Sequence, residues 1–256
     1  MSRIWAIALN TSRESIRNKV LYTVMFFAAL LIGIASAFGA VSLGDSMKFV
    51  KDFALTGLSL FGVAATVVLG VTMVYNELQR RTIYNVLSKP VGRGEFLVGK
   101  YLGLMATLFT MMLGMGMAVW LVVFALEGQP DWSLVPAFLL MLAEIAILAA
   151  VAVFFSTVVV TPALAGLFTV AAFIAGRSAS WLVHFQGAEF PSVLRWLAIG
   201  LERVLPRLDQ LYVADRILAG QTIPASLYLW AGVYALCYIA VLLSASFALF
   251  RRREFV

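Results

Sequence analysis

The sequence predicts an all-α polytopic membrane protein with six transmembrane helices and both termini on the cytoplasmic side. Three observations carry that expectation. Of the 256 residues, 62% are hydrophobic and only 12% are charged, with a mean hydropathy of +0.97. A soluble domain carries about 25% charged residues, so lipid must solvate most of this surface. Six apolar runs are each near the ~20 residues that a spanning helix needs. They cover 20–40, 53–75, 101–126, 134–156, 162–183 and 226–250. Finally, Lys and Arg cluster on one side of these runs, which sets orientation.

The elements follow in chain order as one membrane domain, 1–256, with short loops. Residues 1–19 predict an amphipathic interfacial helix, with Ile4, Trp5, Ala8, Leu9 and Ile16 near one face and Arg13, Arg17 and Lys19 close by. The first run is too long for the apolar core of a leader peptide, so none is expected. Between spans two and three lies the longest inner segment, 76–100. Glu77 and Arg81 stand four apart, a favourable order for a helical ion pair, and Ile83, Val86 and Leu87 form an apolar edge. Pro90 breaks that helix. Gly92 is placed to cap the next one, with Glu95 at its third position as half of a capping box. Spans four and five are divided at Thr161-Pro162, an N-cap followed by proline at the first helical position.

The outer segment 184–225 carries Val193, Leu194, Leu197, Leu201, Val204 and Leu205 at helical spacing, ended by Pro206. It predicts an amphipathic helix packed on the outer mouth of the bundle. Trp120, Trp132, Trp181 and Trp196 fall near the outer interface, where tryptophan is enriched. With the N-terminus inside, twelve of the 19 basic residues lie inside and six outside, and Arg251, Arg252 and Arg253 anchor the inner end of span six.

Composition also excludes functions. The net charge of +6 lies in loops and termini, where membrane orientation explains it, so no nucleic-acid partner is expected. Cys237 is the only cysteine, which leaves no intrachain disulfide. His184 is the only histidine, so a two-histidine zinc site is excluded and no metal is expected. Ser36 and Ser59 read as helix-packing serines. Gly94 to Lys100 matches G-x-x-x-x-G-K, but Tyr101 follows where a phosphate loop needs Ser or Thr. No cofactor is therefore expected on this chain, and it is not itself an ATP-hydrolysing enzyme.

Two charges sit inside apolar runs: Glu144 in span four and Arg177 in span five. Such residues are costly in lipid and face a partner or a cavity. Antiparallel neighbours at comparable depth allow them to pair and fix packing. Lining a substrate path, or an outward snorkel of Arg177, stay open as alternatives. The small pair Gly99 and Gly103 offers a face for a second helix or a second copy.

The stretch from Glu77 to Gly103 is more specific. Its Thr82-Ile83 helix, Leu87-Ser-Lys-Pro-Val91 turn and Glu95-Phe-Leu-Val-Gly-Lys100 helix resemble the cytoplasmic loop of ABC-2 type transporter permeases. Arg13-Glu-Ser-Ile-Arg-Asn-Lys19 is similar to the elbow helix of that family. Leu205-Pro-Arg-Leu208 and Arg251-Arg-Arg-Glu-Phe255 add weaker likeness. At Gly92 these permeases often carry Ser. The resemblance implies a permease in the cytoplasmic (inner) membrane that exports a substrate using two separate ATPase subunits, where ATP and Mg would reside. It implies pairing with a second copy or a homologous permease. The loop would be a coupling helix, with Glu77, Arg80 and Arg81 making polar contacts to the ATPase and Ile83, Val86 and Leu87 docking. The competing readings are an ion-coupled secondary transporter and a scaffold that passes ATPase motion to a periplasmic partner.

Overall fold

A computed structural model describes residues 3–16, 19–39, 46–79, 92–159, 161–182, 192–219, 221 and 223–252. Every regular element among them is helical. The α-helices are α1 (Arg3–Ile16), α2 (Lys19–Gly39), α3 (Ser46–Gln79), α4 (Arg93–Glu127), α5 (Leu134–Val158), α6 (Pro162–Arg177), α7 (Ala179–Leu182), α8 (Ser192–Val204), α9 (Ala214–Leu218) and α10 (Ala225–Arg252). A 3-10 turn at Leu208–Gln210 stands between α8 and α9.

Among the described residues, four helices are long and apolar enough to cross a membrane: Met47–Thr72 in α3, Gly94–Glu127 in α4, Leu134–Val158 in α5 and Ala225–Leu249 in α10. The regions expected as spans one and five hold shorter apolar helices, Tyr22–Ile34 and Pro162–Arg177. With 16 residues, α6 rises about 24 Å, short of the ~30 Å hydrocarbon core. It stops because Ser178 leaves helical geometry at φ −98° and ψ 13°. The chain then re-forms as the four-residue α7 instead of continuing to 183.

The centre of the bundle is α5. It is apolar all round, as a helix enclosed on every side must be. Ile147, Leu148, Ala149 and Ala150 are consecutive and all fully buried. α3, α4, α6 and α10 pack around it. The contact with α3 is close because Gly70 faces Ala152: a Cβ on Gly70 would lie 2.8 Å from the Ala152 Cβ. The Tyr101 hydroxyl donates to the Ala146 carbonyl at 3.0 Å and ties α4 to α5. Buried Thr66, Thr107, Ser156, Thr169 and Ser246 each donate to the carbonyl four residues back, so their hydroxyls are satisfied within their own helices.

Both helix starts expected from sequence form. Gly92 precedes α4, and its N–H donates to Glu95 Oε2 at 3.1 Å. Thr161 is extended at φ −107° and ψ 136° with Pro162 next, although its hydroxyl makes no capping bond. At the other end of α4, Gly128 takes φ 70° and its N–H reaches the Phe124 carbonyl at 2.9 Å. That left-handed position favours glycine. The phosphate-loop look-alike at 94–100 is continuous α-helix.

Amphipathic helices form in both segments where the sequence places them, α1 and α8. α1 lies along α4, but its buried residues are Ala8, Thr11 and Ser15, while Trp5 and Ile16 face outward. The partner face is the Gly99–Gly103 pair. A Cβ on Gly103 would lie 2.5 Å from the Thr11 Cβ, and one on Gly99 would lie 2.9 Å from the Ile7 Cβ. The small-residue face is thus filled by α1 of the same chain, which corrects its reading as a dimer face. α8 forms and ends before Pro206, yet Val193 and Val204 are 70% and 73% exposed. The part that enters the bundle comes later: Leu208, Leu211, Val213 and Ala214 are buried, with α9 against α3 and α5.

Candidate functional site

A polar cluster inside the bundle joins α3, α5, α6 and the segment after the 3-10 turn. α5 carries Glu144 into the core at 1% side-chain exposure. α6 ends on Arg177, whose side chain keeps 24% exposure toward the helix end. Arg177 Nη1 donates to Glu144 Oε1 at 2.9 Å and to Ser59 Oγ on α3 at 3.0 Å. The guanidinium carbon lies 3.6 Å from the Tyr212 ring centroid and 5.6 Å from that of Phe173. Tyr212 in turn shares a 3.2 Å hydroxyl–hydroxyl bond with Thr56, one turn before Ser59. The carboxylate therefore has its counter-charge, and the cation has two ring faces besides.

This arrangement is a connector in chemical character. It has no nucleophile–base pair, and among the described residues no group of three potential metal ligands gathers anywhere. Its contribution is mechanical. Four separate segments meet on one guanidinium, and an ion pair left half-made in such a place costs several kcal/mol.

A second ionic cluster closes one end of the bundle. Lys51 near the start of α3 bridges Glu127 at the end of α4 and Asp131 in the next turn, the latter at 2.7 Å. Asp131 Oδ1 also accepts the Ser133 N–H at 2.9 Å. Burial alone would raise the Asp131 carboxyl. The bonds from Lys51 and Ser133 outweigh it and hold the group below its ordinary value.

Of the residues singled out from sequence, Glu144 and Arg177 are brought together. Glu77 lies in the last turn of α3. Arg80, Arg81, Ile83, Val86, Leu87 and His184 lie outside the described residues. Ser59, read as a packing serine, accepts from Arg177, and Tyr212 and Thr56 were not singled out. The one signal for Tyr212 was its position in a loop directly following the apolar Leu211 in a segment rich in charge.

The family model described as "ABC-2 family transporter protein" matches residues 5–255. Two curated relatives bear the name "Probable ABC transporter permease protein NosY". The one from Pseudomonas aeruginosa PAO1 is 31% identical over 107 residues, 40% of this chain and 39% of that protein. The one from Stutzerimonas stutzeri is 29% identical over 133 residues, 50% of this chain and 48% of that protein. The matched stretch thus spans about half or less of the length of either relative.

Proposed function

The chain belongs to the ABC-2 family of transporter proteins, and we propose that it serves as the permease subunit of an ATP-driven exporter in the cytoplasmic membrane. Two ATPase subunits on separate chains bind ATP and Mg, and a second permease copy or a homologue completes the membrane part. In this reading the chain crosses six times, with α2 as one further span and α6 together with α7 as the other, and both termini inside. The single observation that carries the reading is the family match over 5–255, because it takes in the loop and its flanking helices together.

In this reading the loop between α3 and α4 docks on the ATPase. Glu77, Arg80 and Arg81 make its polar contacts, and Ile83, Val86 and Leu87 its apolar ones. The geometry of the flanking helices supports a coupling role. α3 and α4 have 34 and 35 residues, about 50 Å each. α3 ends and α4 starts at this loop, and their far ends are joined by Lys51 and Glu127. A push at the loop therefore moves a clamped pair of rods, not two loose strands. The same α3 carries Ser59 and Thr56, so the push reaches Arg177 and Tyr212 directly.

The test is co-purification from native membranes in mild detergent, followed by ATPase assay after reconstitution. An ATPase subunit equimolar with the permease, and transport that stops without nucleotide, are the expected results. A chain that transports alone without nucleotide overturns the proposal. The scaffold reading keeps one favouring observation, the outward apolar residues of α8 on a segment fastened to the bundle through Tyr212. A periplasmic protein crosslinked at Trp196, with no solute moved, would favour it. Ion coupling is weakened because its acidic candidate, Glu144, is held by Arg177.

A further inference from the structure

We propose that a groove between α3, α4 and α5 holds one acyl chain of a zwitterionic phospholipid. The groove has a volume of about 340 Å³, within the lower range of sites that bury a small ligand. Leu55 and Leu58 of α3 form its back wall, Leu113 and Met117 of α4 one side, and Val135 and Phe138 of α5 the other. No titratable group lines it, so its occupant is a hydrocarbon.

Leu113 to Trp120 covers about 10 Å along α4, so the groove runs with the helix axis and takes an alkyl chain lying along it.

Depth and access point to the same occupant. Trp120 and Trp132 close one end of the groove, with ring centroids 6.1 Å apart. Paired tryptophans of this kind mark headgroup level. The groove lies on the bundle side of them, at the depth of the upper acyl carbons. Leu113, Met117 and Val135 are each at least two-fifths exposed, so the mouth opens sideways toward lipid.

Charge selects the head. Lys51 lies one turn of α3 before Leu55, and Asp131 is the neighbour of Trp132. The Lys51–Glu127–Asp131 cluster carries one net negative charge. Lys48 and Asp52, also on this turn of α3, cancel each other. A head with an ammonium group, such as phosphoethanolamine, is favoured over an anionic phosphoglycerol.

The experiment uses the full chain purified in detergent without any ATPase, so its outcome is independent of the permease reading. Native mass spectrometry counts phosphatidylethanolamine retained through delipidating washes. Spin-labelled phosphatidylethanolamine and phosphatidylglycerol in reconstituted vesicles give relative affinities. Wild type should keep one phosphatidylethanolamine per chain. Met117→Trp and Val135→Trp fill the groove from its exposed rim and should each lower retention at least ~10-fold. Glu127→Gln combined with Asp131→Asn should reverse the preference toward phosphatidylglycerol. Equal retention by wild type and both tryptophan variants overturns the proposal. So does a wild type that binds the two labelled lipids alike, or a Met117→Cys variant that crosslinks to a second copy through the groove.

Discussion

Glu144 and Arg177 differ in how far each can escape once its partner is gone, and that difference makes a sharp prediction. Arg177→Met leaves a carboxylate with 1% exposure and no counter-charge, while Ser59 cannot replace a cation. Removing one partner of a buried pair costs about 3–5 kcal/mol. Glu144→Gln leaves a guanidinium with 24% exposure, the Ser59 bond and the ring faces of Tyr212 and Phe173. Its cost falls to the ~1–3 kcal/mol of a lost charged hydrogen bond. The double variant removes both charges and should cost less than the sum by at least ~2 kcal/mol, within the range for contacting residues. Reversible unfolding in mixed micelles, followed by circular dichroism, measures all three. Additivity within about 0.5 kcal/mol, or a larger loss in Glu144→Gln than in Arg177→Met, would refute the reasoning.

Other perturbations test separate parts of the structure. Gly103→Leu places a side chain where Thr11 Cβ lies 2.5 Å from the new Cβ; overpacking of about 1–3 kcal/mol should release α1 and unwind the helical backbone around Arg13 enough for trypsin to cut there. Uncut α1 at wild-type stability would contradict that contact. The Asp131 carboxyl is depressed in the folded chain, so its stabilisation is complete above the ordinary value of ~3.9 and is lost as pH falls through the lower folded value. Asp131→Asn should therefore melt below wild type at neutral pH, and the gap should close in acid; a gap constant from neutral to acid pH would rule the ion pair out as its source. Glu77→Lys and Arg81→Glu reverse charges on the proposed docking surface and should uncouple ATP hydrolysis from transport in reconstituted complex. Unchanged coupling would remove these residues from the interface.

Local chemistry was legible in the sequence wherever backbone geometry or an uncompensated charge dictated it. Thr161-Pro162 and Gly92 with Glu95 begin helices because proline fixes φ and a third-position carboxylate reaches back to the cap. Glu144 and Arg177 stood out because a lone charge in an apolar run requires a partner. Burial was harder to read. Counting apolar residues on α1 selects Trp5 and Ile16 beside Ala8, whereas the buried positions are Ala8, Thr11 and Ser15. The reason is the solvent. In lipid, large apolar side chains gain nothing by turning inward, and close helix contact is made by small residues. The outward Val193 and Val204 of α8 follow the same logic. Ser59 and Tyr212 stayed hidden because neither residue type signals a partner until α3 and the 3-10 turn have been placed against α6.

The same placement explains why the polar cluster and the ionic clamp belong to one device. α3 is held at Thr56 and Ser59, about 20 Å from its start and about 30 Å from its end at the 80–91 loop. A rod held at an intermediate point acts as a lever, so a displacement of about 3 Å at the loop end becomes about 1 Å at Lys51, about 12 Å from Ser59. Glu127 is bonded there, so α4 must follow. The holding point is itself divided: Thr56 binds Tyr212 of the segment between the 3-10 turn and α9, while Ser59 binds Arg177 of α6. Arg177 stacks on Tyr212, so both attachments share one cation. Tilting α3 must therefore either carry α6 and the Tyr212 segment with it or break the stacking between them. The packed Tyr212 segment, not the exposed α8, is then the element that a tilt of α3 reaches first.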